Sequence, residues 1–173
     1  MRLFVRVNKK EVAVVQLSAA IILWFHGNDV VSIHTLAAAA HDCFHAMATL
    51  KGKESILRAW MAKQSKGLQK RIADAQNFFK HGRKDLKGEV LYSPIHGEML
   101  MFDCVVCYGM AFDHRSTPAL MRLYAVRFAL ENADILETDL SRYYLERDEI
   151  DELAPLSRQQ FYERGLALLA KRR

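Results

Sequence analysis

The sequence predicts an all-α fold: a single domain over residues 1–173, a bundle of about seven helices around a central apolar helix at 94–112. Three observations carry that prediction. Apolar residues recur at three- and four-residue steps in most segments, and the connections between segments are short and hold Gly, Asn or Pro. The chain of 173 residues is also 51% apolar with only three prolines, which suits one packed domain and excludes a disordered or collagen-like chain.

The elements follow in order. Met1–Val7 alternates weakly, as a short strand or a fraying turn would. Asn8 is placed to cap a helix from about Lys9 to His26, ended by the Gly27-Asn28-Asp29 turn. Its apolar run, Val12–Phe25, follows four cations and superficially resembles a signal peptide. Glu11, Gln16 and Ser18 interrupt that pattern, and the run is shorter than the ~20 residues of a membrane span. A buried core helix is expected there. The second helix, about Val31–Lys51, takes Asp29 or Ser32 as its cap, carries Ile33, Leu36, Ala40, Phe44 and Met47 on one stripe, and stops at Gly52. Helices at Glu54–Gln64 and Leu68–Lys80 are expected to part near Gly67, with a charged loop from Gly82 to Tyr92 after them. Ser93-Pro94 and Thr117-Pro118 read as a capping hydroxyl followed by Pro at the first helical position. The helix to about Phe112 is apolar nearly all round, hence central; another runs to about Asn132. A short acidic segment and a last helix, about Ser157–Lys171, close the bundle.

Charge is polarised along the chain. The net formal charge is +5, but eleven Lys or Arg lie between Lys51 and Lys87 against Glu54, Asp74 and Asp85. Between Glu131 and Glu152 nine acids face only Arg142 and Arg147. Such separation fits either two solvated faces, meeting within the fold or across a homodimer, or an anion-binding middle third. Cys43, Cys104 and Cys107 are an odd set that cannot all pair, which argues against a secreted disulfide scaffold and for a cytoplasmic protein. No cofactor motif is present, and no membrane partner is expected.

Three constellations could carry chemistry. His41 and His45 fall about 20° on either side of His34 on one helix, flanking its apolar face, and have the i, i+4 spacing that grips a metal ion. A ligand from elsewhere would have to complete such a site; otherwise they form a row of boundary histidines. Cys104-x-x-Cys107 lies midway along the most apolar helix, not at a helix start, so it reads as two small hydrophobes. Asp103 beside it must find a buried partner, and a stripe histidine is the obvious one. The third group is Asn77-Phe-Phe-Lys80-His81, followed by Gly82-Arg83-Lys84-Asp85. An amide, an imidazole and several cations at a helix end could hold a phosphate and shuttle a proton, or simply satisfy the helix dipole.

Asp29-Val-Val-Ser-Ile-His34-Thr-Leu-Ala-Ala-Ala-Ala-His41, together with Asn77-Phe-Phe-Lys-His81, resembles a family of small uncharacterised bacterial helical proteins over roughly Val12 to Phe112. Less specifically, Asn-x-x-Lys-His at a helix end is similar to the HEPN domains (higher eukaryotes and prokaryotes nucleotide-binding), helical bundles, many of them dimeric RNases in toxin, antiphage or RNA-processing systems. Their signature sets an Arg, often with a polar residue after it, four to six residues before a His. Here those positions hold Asn77, Gln76 and Ala75, and no Arg. The resemblance therefore implies Asn77 and His81 as the counterpart of a catalytic pair, with Lys80, Arg83 and Lys84 on RNA. The expectation is an HEPN-like module binding RNA or another polyanion. A homodimeric interaction module without activity, or a metal-binding bundle using His41 and His45, are the alternatives.

Overall fold

Asn8 starts the first helix through reciprocal bonds. In the computed structural model, which describes residues 4–80, 87–134 and 144–171, Glu11 N donates to Asn8 Oδ1 (2.9 Å) and Asn8 N to Glu11 Oε2 (3.1 Å). Helix α1 (Lys9–Phe25) then buries Ala13, Leu17, Ala20, Ile21, Trp24 and Phe25, the core helix expected from the apolar run. Gly27, at φ 66°, turns the chain in a conformation that costs glycine least. Asp29, not Ser32, caps α2 (Val30–Thr49), accepting from the backbone N–H of Val31 and Ser32 at 3.1 Å each. Gly52, at φ 69°, follows its end. Residues 4–8 form no strand.

The next two helices differ from expectation at their starts. α3 (Ile56–Ala62) begins after Ser55, whose Oγ accepts from Arg58 N at 3.0 Å, so Glu54 lies outside it. α4 (Lys66–Lys80) begins before Gly67, because the Ser65 carbonyl already accepts from Leu68 and Gln69; Gly67 is inside the helix and does not divide two. α5 (Ile95–Phe112) and α6 (Ala119–Glu131) each start one residue late. Ser93 and Thr117 make no cap, and Pro94 and Pro118 occupy the cap positions themselves. Pro118 is extended (ψ 144°), so the helix cannot begin until after it. A 3-10 turn at His114–Ser116 joins α5 to α6. The acidic segment holds α7 (Arg147–Leu153), and α8 (Arg158–Lys171) follows.

The described residues thus form eight α-helices and no strand, an all-α bundle. α5 is the centre, touching α1, α2, α3 and α6. Its length and composition alone would let it cross a membrane, but its apolar girth has a local cause: more than half of it is buried by these neighbours. The closest pairing is α2 with α5, and it is parallel. Residue 34 lies beside 97, 37 beside 104, and 44 beside 108. Small residues on both helices (Ala37, Ala40, Gly97, Cys104) allow this approach; the Cys104 Sγ lies 3.7 Å from the Ala37 carbonyl oxygen.

Gly165 makes the α6–α8 contact possible. A Cβ built there would sit 2.5 Å from Cδ2 of Leu123, a side chain with no solvent exposure into which to retreat. Overpacking of this kind costs about 1–3 kcal/mol, more than the roughly 1 kcal/mol that Ala gains over Gly in helix propensity. Gly165→Ala should therefore lower the urea midpoint. Gly67→Ala, with nothing within 4 Å of its added carbon, should not.

Candidate functional site

Asp103 is the most heavily bonded side chain of the interior. It is 2% exposed and sits midway along α5. Its Oδ2 meets His41 Nε2 of α2 at 2.6 Å and accepts from Ser55 Oγ at 2.5 Å. Its Oδ1 accepts from Leu57 N, in the first turn of α3, at 3.1 Å. The partner expected among the histidines is therefore His41. Burial pushes the carboxyl upward, but the bonds from His41 and Ser55 outweigh that and hold it below its ordinary value, so it stays ionised. A carboxylate at the start of α3 also meets the positive end of that helix.

The trio of Ser55, His41 and Asp103 is not arranged as a nucleophile with its base. The Ser55 hydroxyl gives its proton to the carboxylate, accepts from Arg58 N, and lies 3.4 Å from the imidazole. It is also wholly buried. It ties helices together and is not poised to attack. Cys107 Sγ touches the same carboxylate oxygen at 3.6 Å, and burial raises the pKa of both Cys104 and Cys107, as inert core thiols require.

Two turns earlier on α2, His34 forms a second polar pair with Tyr92, which precedes α5. The Tyr92 hydroxyl accepts from Gly97 N (3.1 Å) and lies 3.2 Å from His34 Nδ1. Burial pushes the Tyr92 hydroxyl up to about 12, keeping its proton in place. Burial, then the charges of His96 and Lys80, lower His34 to about 4, so its imidazole is neutral at pH 7. Its Nε2 is buried without a hydrogen-bond partner among the described residues. His34 and His41 thus lie inside the apolar face and do not merely flank it; His45 is half-buried, its ring parallel to that of His41 with centroids 6.2 Å apart. Among the described residues no three His, Cys, Asp or Glu side chains gather around a metal position.

Between these pairs, α3 and α4 arch over α5 and leave a cavity of 480 Å³. Its wall is apolar, with Trp60, Leu68, Ile72, Leu100 and Phe128 facing in, and its polar wall residues are His96 and Asp103. These two are seven residues apart on α5, hence on one face and about 10 Å apart by helical rise. Ile56 and Trp60 line the cavity yet are 55% and 42% exposed, so its mouth opens beside α3. Sequence periodicity had no means of finding this space; the i, i+7 spacing of His96 and Asp103 was the signal available.

On the outside, Asp42 mirrors Asp103. Arg58 of α3 approaches it at 2.9 Å and Lys80 of α4 at 3.6 Å. Asn77 stands exposed on α4, away from the buried histidines. His81, Arg83 and Lys84 lie outside the described residues, so only Asn77 and Lys80 of that group can be placed. Of the acidic stretch, Glu131 pairs with Arg127 and Arg158, and Glu152 with Arg164. No protein-family model matches the chain, nor does any curated protein or solved structure.

The neutral state of His34 has a measurable consequence. An unfolded His titrates near 6.5, so between about pH 6.5 and pH 4 the unfolded chain binds a proton that the folded chain refuses. Stability should fall as pH drops through that window, by up to roughly 3 kcal/mol from this residue, and His34 should add nothing below it. His45 and His96, also lowered chiefly by burial, act in the same direction. Denaturation of His34→Gln across this range should give a visibly flatter pH profile than wild type.

Proposed function

We propose that the chain is an HEPN-like, cytoplasmic helical module that binds RNA or another polyanion through the outer face of α3 and α4. The observation that carries this reading is charge left unpaired. Lys51, Lys53, Lys63, Lys66, Lys70, Arg71 and Lys87 are all exposed, and none forms an ion pair among the described residues. At 100° per residue, Lys66, Lys70 and Asn77 fall within about 40° of one another, opposite the apolar stripe of Leu68, Ile72, Ala75 and Phe79. A helix so arranged turns cations and an amide outward together, the pairing that phosphate and sugar contacts use. The three free thiols accord with a reducing compartment.

No catalytic step is assigned, since the position of an HEPN arginine is not filled by one. The alternative of a homodimer held by opposite charge patches has less support: Glu131 and Glu152 already have arginine partners within the chain.

Salt tests the proposal. Binding of a single-stranded RNA should weaken steeply with added salt, with a log–log slope of about −0.7 per phosphate neutralised. Lys66→Glu with Lys70→Glu should make that slope shallower by about 1.4, while Lys171→Glu on α8 should leave it nearly unchanged. Absence of RNA binding at low ionic strength would end the proposal.

A further inference from the structure

An apolar cavity open beside α3 is a departure from close packing that must be explained. Helical cores fill to the density of organic crystals, and voids much larger than a water molecule are few. Here 480 Å³ lies unfilled, within the range of pockets that hold small molecules. It is independent of the basic outer face: the side chains that form it are the inward ones of α3 and α4, with α5 and α6 beneath.

The wall dictates the ligand's chemistry. Trp60, Leu100 and Phe128 demand an apolar body, and the separation of His96 from Asp103 along α5 allows one about 10 Å long. The deep polar point is Asp103. Its Oδ2 is occupied by His41 and Ser55, but its Oδ1 accepts only from Leu57 N and retains capacity for one more bond. An ionised carboxylate accepts and never donates, so whatever reaches it must carry a donor. An anionic head would meet like charge in an apolar surrounding, which is strongly unfavourable. At the other end, His96 Nδ1 is buried without a partner and, as a neutral imidazole, can accept or donate.

We propose that the cavity between α3, α4 and α5 binds a small apolar alcohol or amine, entering beside Ile56 and Trp60 and donating a hydrogen bond to Asp103. Carboxylates of the same size are excluded by the Asp103 charge. The two donor types share one recognition chemistry, and affinity separates them: an alkylamine adds an ion pair with the carboxylate to the hydrogen bond that an alcohol makes.

Calorimetric titration of the wild-type chain with octan-1-ol, octylamine and octanoate tests this directly, with Trp60 emission as a second reading. The alcohol and the amine should bind at least about tenfold more tightly than octanoate, the equivalent of 1.4 kcal/mol. Leu100→Phe and Ile72→Phe fill the cavity from opposite walls, and each should weaken octan-1-ol binding about tenfold while a cooperative melt is retained. The wild-type comparison stands even if a variant fails to fold. No binding of any probe, octanoate binding as tightly as octan-1-ol, or undiminished binding by folded cavity-filling variants would each overturn the proposal. RNA binding should be the same with and without octan-1-ol, so the two sites fail or stand separately.

Discussion

The arrangement depends on one ionised carboxylate kept in the core. Burying Asp103 is costly unless its charge is answered by hydrogen bonds, and both of its oxygens are bonded by groups from two other helices. His41 fixes α2 against α5. Ser55 and the Leu57 amide fix the first turn of α3 over the same helix. A helix of seven residues has little stability of its own, so these bonds decide where α3 sits. Everything placed by α3 follows, including the roof of the cavity, and Asp42 repeats the arrangement outside by drawing Arg58 and Lys80 toward α2.

The two faces of the α3–α4 pair then differ in character through one amphipathic pattern. Leu68, Ile72 and Trp60 line the cavity over α5. Lys66, Lys70 and Asn77 turn outward, and neither lysine pairs with an acid among the described residues. A purely structural cover would be expected to close onto the core and pair its charges, as α6 and α8 do through Glu131, Arg127 and Arg158. The contrast between these two helix pairs is why function is placed on α3 and α4.

Much of this was legible in the sequence, and the reasons are physical. Period and caps located α1, α2, α5 and α8, because Asn8, Asp29, Gly27 and Gly52 act through local bonds that need no tertiary context. The need of Asp103 for a histidine was legible because an unpaired buried charge is intolerable. The start at Thr117 was not, since Pro118 is extended and takes the cap position; Pro94 has a helical ψ of −30°, and the expectation there failed only because Ser93 makes no side-chain cap bond. Gly67 misled because its flexibility suits a break equally well. Ser55 and Tyr92 were missed because their partners lie 48 and 58 residues away, distances that no periodic pattern carries, and His96 because its significance lies in the cavity it lines. The Asn77–His81 group stays half placed, with Asn77 on an exposed face and His81 beyond the described residues.

Hydrogen exchange at the α3 amides tests the central claim most directly. In wild type, Leu57 N–H and Arg58 N–H are bonded to Asp103 and Ser55 and should exchange slowly for so short a helix. In Asp103→Ala, protection across Ile56–Ala62 should collapse while the amides of α1 and of the middle of α2 remain protected. Unchanged protection of α3 in that variant would contradict the account, since α3 would then be held in place by something other than the buried carboxylate.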